Sequence, residues 1–219
     1  MQTFDTPNPI TAVLDVPAAR VQLIAADRAD TAVEVLPADA TKDRDVKAAQ
    51  RTTVEYTDGV LRIATPVKHE ILGASGAIEV TVQLPAGSGV EGKAATAELR
   101  GVGRFGDVTH EAYGEIKLDE AASVKLTAQA GDVSVGRLNG PGEISTMQGD
   151  INIAEAASGK VVLTTQAGNV TVGVAAGISA SLDAGTSMGR IENALKNTGA
   201  AEVEIHATTT QGDIAARSL

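Results

Sequence analysis

Cysteine is absent from this chain, which removes disulfides, thiolate metal sites and cysteine nucleophiles from consideration. Tryptophan is absent too, and two Phe and two Tyr make up the whole aromatic complement. Ala, Val, Ile and Leu must therefore fill the interior. Thin layers of small and β-branched side chains suit stacked coils better than a globular sandwich, which leans on bulky aromatics. No stretch approaches the roughly 18 consecutive apolar residues of a membrane-spanning helix. The N-terminus, Met1-Gln2-Thr3-Phe4-Asp5-Thr6-Pro7, has no basic region followed by an apolar one and does not read as a secretory signal. The C-terminal Ala216-Arg217-Ser218-Leu219 carries no sorting or lipidation motif. A cytoplasmic protein is the expectation. No Lys/Arg-rich run occurs, and the formal net charge is −10. Nucleic acid and anionic membrane are therefore not expected partners, since both need a positive patch.

What the chain does have is an apolar content of 43% over 219 residues, enough for a substantial core. The first 88 residues read as short strands separated by turns. Ile10, Ala12, Leu14 and Val16 alternate along one face, and strands follow at Arg20 to Ala25 and Ala32 to Leu36. Asp39 to Gln50 is charged and irregular, and reads as a solvated loop with at most a helical turn. Asp58-Gly59 then supplies the positive φ of a tight hairpin between Thr53 to Tyr56 and Val60 to Ile63. A further strand runs from Ala77 to Leu84.

After about Gly89 the texture becomes repetitive. A glycine, a polar residue and then Val or Ile recur at Gly106, Gly114, Gly131, Gly149, Gly168, Gly189 and Gly212. From Gly114 onward the spacings are 17, 18, 19, 21 and 23 residues. Apolar columns line up beneath them. Four residues on stand Leu118, Val135, Ile153 and Val172; five back stand Leu126, Ile144, Leu163, Ala184 and Ala207. Two short strands per repeat describe one coil, and coils stacked in parallel bury each other's apolar face. Thr- and Gln-rich segments precede the glycines, where stacked side chains can hydrogen-bond from coil to coil. The growing spacing implies longer loops or wider coils towards the C-terminus.

Motifs for chemistry are few. The acidic column after the glycines, with Asp132, Asp150 and Asp213 as its candidates for weak cation binding, offers one carboxylate per coil. Such a column supplies too few oxygens for the six to eight ligands of calcium, and capping of the turn is the simpler role. Glycoside hydrolysis needs two carboxylates in a cleft, usually with aromatic platforms, and no aromatic is interleaved with the acids. His69, His110 and His206 are far apart, with no metal-site spacing. Gly101-Val102-Gly103-Arg104-Phe105-Gly106 matches a dinucleotide fingerprint in letters only. With no helix expected after it, the segment reads as a cluster of turns. No catalytic residue and no cofactor is expected.

The Gly-Asp-[Val/Ile] repeats, above all Thr127 to Val135, Ser145 to Ile153 and Thr164 to Val172, follow Ile78 to Gly87. Together these segments resemble a bacterial β-strand-repeat family of unknown function labelled "putative adhesin", in an Ala-rich version like actinobacterial members. The resemblance covers most of the chain and implies architecture rather than a mechanism.

The expectation is thus an all-β fold: a parallel β-solenoid over residues 89–219, with residues 1–88 forming an antiparallel or mixed β region that caps or extends it in one core. The last repeat, Thr208 to Leu219, is as regular as the inner ones. Placed at the end of the stack it would leave an unguarded edge, so self-association through the solenoid ends is expected. A protein-binding or scaffold module with an unknown protein partner fits best. An exported surface adhesin and a polysaccharide-active β-helix enzyme are the alternatives.

Overall fold

The computed structural model describes residues 1–66, 76–94 and 96–219. The protein is all-β and solenoid-like, with many parallel strand pairs and a single short helix among the described residues. It divides into two compact units, Met1–Tyr113 and Gly114–Leu219.

The first unit contains β1 (Gln2–Asp5), β2 (Thr11–Asp15), β3 (Ala18–Ala26), β4 (Asp30–Pro37), α1 (Asp43–Arg51), β5 (Thr53–Thr57), β6 (Val60–Ala64), β7 (Ile78–Pro85), β8 (Gly89–Ala94) and β9 (Thr96–Ala112). Two ladders run through it. In one, β1, β4, β7, β3 and the first half of β9 are neighbours; in the other, β5, β6, β2, β8 and the second half of β9. The β7–β3–β9 and β6–β2–β8–β9 pairings are parallel, whereas β1, β4 and β5 pair antiparallel. The first coil of the chain, β2 with β3, therefore lies inside the stack, and β4 and β5 cover the outer edge of β7 and β6.

Sequence alternation accounts for these strands: Ala12 and Leu14, Val21 and Leu23, Leu61 and Ile63, and Val80, Val82 and Leu84 are all fully buried or nearly so. The hairpin turn is as expected, with Asp58 at φ 49° and Gly59 at φ 78°. The segment read as a loop is in part a helix, α1. Asp43 and Asp45 occupy its first turn and Arg51 its last, complementing the helix dipole. Asp45 and Ala48 are its buried residues, and the Asp45 carboxylate accepts the Ala77 N–H at 2.9 Å. The glycines expected to form a turn cluster lie instead within β9. There Gly103 (φ 91°) lets the strand pass so close to β3 that a Cβ would sit 2.0 Å from the Ala25 carbonyl oxygen. Phe105, beside it, is the largest fully buried side chain.

The second unit contains β10 (Ile116–Ala130), β11 (Val133–Leu138), β12 (Gly142–Gln148), β13 (Ile151–Ala156), β14 (Gly159–Ala167), β15 (Val170–Val174), β16 (Ala180–Met188), β17 (Ile191–Ala194), β18 (Val203–Gln211) and β19 (Ile214–Ser218). All its strand pairs described are parallel. One ladder reads β10, β11, β13, β15, β19, β17 and the other β10, β12, β14, β18, β16. The columns read from the sequence are the observed registers: Leu118, Val135, Ile153 and Val172 stack in one ladder, Leu126, Ile144 and Leu163 in the other. These side chains are at most 1% exposed, and burying each is worth about 1.5–3 kcal/mol. Where a column narrows, a glycine makes room: a Cβ on Gly142 would lie 2.7 Å from Leu138 Cδ2.

The coil order departs from the chain order. The last repeat does not end the stack. β18 inserts between β14 and β16, and β19 between β15 and β17. The terminal coil is β16 with β17, and among the described residues no strand pairs with its outer side. The lengthening repeat has the same origin, because the chain must leave the end of the stack through residues 195–202 and return one layer inward.

Candidate interaction surface

Three ladders of polar groups run along the second unit. The first is a glycine spine. Gly131, Gly149, Gly168 and Gly212 have φ between 140° and 155°. A Cβ on Gly149, Gly168, Gly212 or Gly189 would meet the carbonyl oxygen of the glycine one coil away at 2.2, 2.0, 2.0 and 1.9 Å. The second ladder lies three residues earlier. The hydroxyls of Thr165, Thr209 and Thr186 donate to the carbonyls of Gly149, Gly168 and Gly212 at 3.1, 3.0 and 3.0 Å, with Thr146 to Gly131 longer at 3.4 Å. Thr146, Thr165 and Thr209 are buried, so these bonds satisfy hydroxyls that water cannot reach.

The third ladder holds the acidic column. Asp132 Oδ1 accepts the Asp150 N–H at 2.8 Å, Asp150 Oδ1 the Asn169 N–H at 2.7 Å, Asn169 Oδ1 the Asp213 N–H at 2.8 Å, and Asp213 Oδ1 the Arg190 N–H at 2.8 Å. Each side chain thus caps a backbone donor of the next coil rather than of its own turn. Asp132, Asp150 and Asp213, the residues considered for cation binding, all spend one oxygen this way. No group of three or more His, Asp or Glu side chains positioned to hold a metal ion occurs among the described residues.

The histidines do not come together. His69 lies outside the described residues. His206, on β18, places Nδ1 3.2 Å from Asp183 Oδ2 on β16 and is partly exposed. His110 is fully buried, and neither ring nitrogen has a hydrogen-bond partner. Desolvation pushes its pKa down to about 4, against a weaker upward pull from Glu111. It sits opposite Gly92, whose missing side chain makes the space for the imidazole. Asp39, ahead of α1, is held down to about 2 by the Thr41 hydroxyl and N–H and by Lys42.

Two surfaces of the second unit can meet a partner. One is the outer face of the β10–β12–β14–β18–β16 ladder. Thr127 stacks on Ser145 (3.3 Å) and Thr164 on Thr208 (3.2 Å), with exposed Gln129, Met147, Gln166 and Thr210 in the neighbouring positions. The Lys125–Glu143 and His206–Asp183 pairs flank this strip. The other is the terminal coil. There Leu182, at a core position, is only half-buried, while Met188 is 59% and Ile191 46% exposed. Arg190 and Asn193 close two columns that carry Asp or Asn and apolar residues in the inner coils. In the sequence Leu182, Arg190 and Ile191 read only as members of the repeat, although Arg190 stands out in the column of acids.

Residues 12–218 match the Toastrack DUF4097 family, and the chain belongs to it. No curated protein matches. Among solved structures, a "putative cell adhesion protein" from Clostridium sporogenes is similar over 100% of this chain and 98% of its own, at 13% identity and a TM-score of 0.44. A "putative adhesin" from Bacteroides fragilis covers 98% of this chain and 95% of its own, at 12% identity and a TM-score of 0.47. Another "putative adhesin", from Parabacteroides distasonis, covers the same shares at 14% identity and a TM-score of 0.43. The function of the family is unknown. No helix among the described residues is long and apolar enough to cross a membrane.

Proposed function

We propose that this protein is a non-catalytic binding module that presents the flat outer face of the β10–β12–β14–β18–β16 ladder to a protein partner. The observation that carries the reading is the strip Thr127, Ser145, Thr164 and Thr208, with Gln129, Gln166 and Thr210 beside it. The core needs none of these outward side chains. Their hydroxyls and amides both donate and accept, which suits recognition across a regular surface. Parallel stacking fixes them at the strand spacing of about 4.8 Å, so a partner meets a preorganised surface and loses little entropy in ordering it.

The test is affinity capture from the native cell with wild-type protein and with the triple variant Thr127→Lys, Thr164→Lys, Thr208→Lys. A recurrent partner recovered by the wild type and lost with the variant supports the face. Equal recovery by both refutes it.

A further inference from the structure

We infer that the terminal coil β16–β17 is an isologous interface, closed by the same coil of a second copy of this chain through antiparallel edge pairing. The outer sides of β16 and β17 carry backbone donors and acceptors unpaired by any strand among the described residues. Such a row is a template for another strand. Leu182, Met188 and Ile191 leave apolar surface at the same place.

Charge argues for a second copy as the occupant. The chain as a whole is at −10, so copies repel each other over most of their surface. At the terminal coil, however, Asp183 and Glu192 are balanced by Arg190 and Lys196, all four exposed. Antiparallel pairing about a two-fold centred near Ile191 sets Arg190 against Glu192 of the partner subunit, and the reverse, so one contact is made twice.

The ladders argue for closure rather than a fibre. Continued parallel stacking would extend the capping column, in which Asp132, Asp150, Asn169 and Asp213 each offer a side-chain oxygen to the next coil. That column stops at Arg190, which has no acceptor to offer. A two-fold perpendicular to the stack makes facing strands antiparallel, needs no further capping side chain and ends at the dimer.

The experiment is light scattering with size exclusion on the full chain, from micromolar to near-millimolar concentration, for the wild type, Arg190→Glu, Glu192→Lys and the double reversal. The Arg190 contact with Asp213 is through the backbone N–H, so the substitutions leave it in place, and an unchanged Tm at low concentration verifies the fold. The wild type is expected to dimerise, each single reversal to weaken the dimer about five- to tenfold, and the double reversal to restore it. A wild type that stays monomeric throughout, or a double reversal as weak as the single ones, overturns the proposal.

Discussion

Asn169 Oδ1 accepts the backbone N–H of Asp213 at 2.8 Å across 44 residues of chain, bypassing Arg190, which lies nearer in sequence. The relationship fixes the order of the stack. It also sets a neutral amide between Asp150 and Asp213 in a column whose other capping side chains are carboxylates.

That amide has a separable purpose. Asn169→Asp keeps the acceptor but lines up carboxylates on successive coils, which repel by about 1 kcal/mol per pair in water and less in salt. Asn169→Ala removes the acceptor and adds no charge. The expected outcome is a Tm lowered by a few degrees for both in dilute buffer. Added salt restores the Asp variant and leaves the Ala variant low. Thermal melts at two ionic strengths make the comparison, and identical salt responses would sink the idea.

The glycine spine predicts a graded series. Gly168→Ala places a Cβ 2.0 Å from the Gly149 carbonyl oxygen, at φ 155°, so backbone must move; a loss of about 2 kcal/mol or more is expected. Gly177 has φ 83° with nothing within 4 Å of its Cβ position, and its Ala variant meets only the conformational cost of about 1 kcal/mol. Gly185 has neither obstacle, and Gly185→Ala should be neutral or slightly stabilising. Denaturant unfolding of the three variants checks the ranking.

Thr165 gives a narrower test of the hydroxyl ladder. Thr165→Val keeps the shape but leaves the Gly149 carbonyl without its 3.1 Å donor, and should cost about 1 kcal/mol. Thr165→Ser retains the hydroxyl and should recover much of that loss. Val and Thr indistinguishable by urea midpoint would mean that the hydroxyl contributes nothing.

The columns were legible in the sequence and their order was not, for one physical reason. Gly168, Gly189 and Gly212 are each followed by a polar residue and then Ile or Val, so every coil offers its neighbours the same spine and the same core. Nothing local distinguishes Gly212 from Gly189 as the partner of Gly168. The distinguishing signals are weaker: Arg190 in a column of acids and amides, Asn193 in an apolar one, and the longest spacing just before Gly212. They mark β16–β17 as the end of the stack, where the regular last repeat had been expected. The first unit hid its order similarly, since β2 and β3 form the first coil of the chain yet lie within the stack. The helix α1 was masked by charge, because a short amphipathic segment with few buried residues resembles a solvated loop. His110 gave no signal, as alternation along β9 turns inward whatever residue falls there.

That inward histidine makes the protein acid-sensitive in a definite window. In the unfolded chain an imidazole titrates near 6.5, whereas in the folded chain His110 titrates at about 4. Between those values the unfolded state binds a proton that the folded state does not, so stability falls as pH falls through this range. The difference is worth about 3 kcal/mol once both states are protonated, and about 2 kcal/mol of it is already lost by pH 5. Ordinary carboxylates are still largely ionised at pH 5, which separates this effect from general acid denaturation. Replacing His110 with Leu removes the titrating group and fills the place opposite Gly92 with an apolar side chain. Urea unfolding at pH 8, 6.5, 6 and 5 should show a stability that declines below pH 6.5 in the wild type and stays nearly flat in His110→Leu. Parallel curves for the two proteins would mean that the buried imidazole finds a partner on protonation, and that its burial carries no acid penalty.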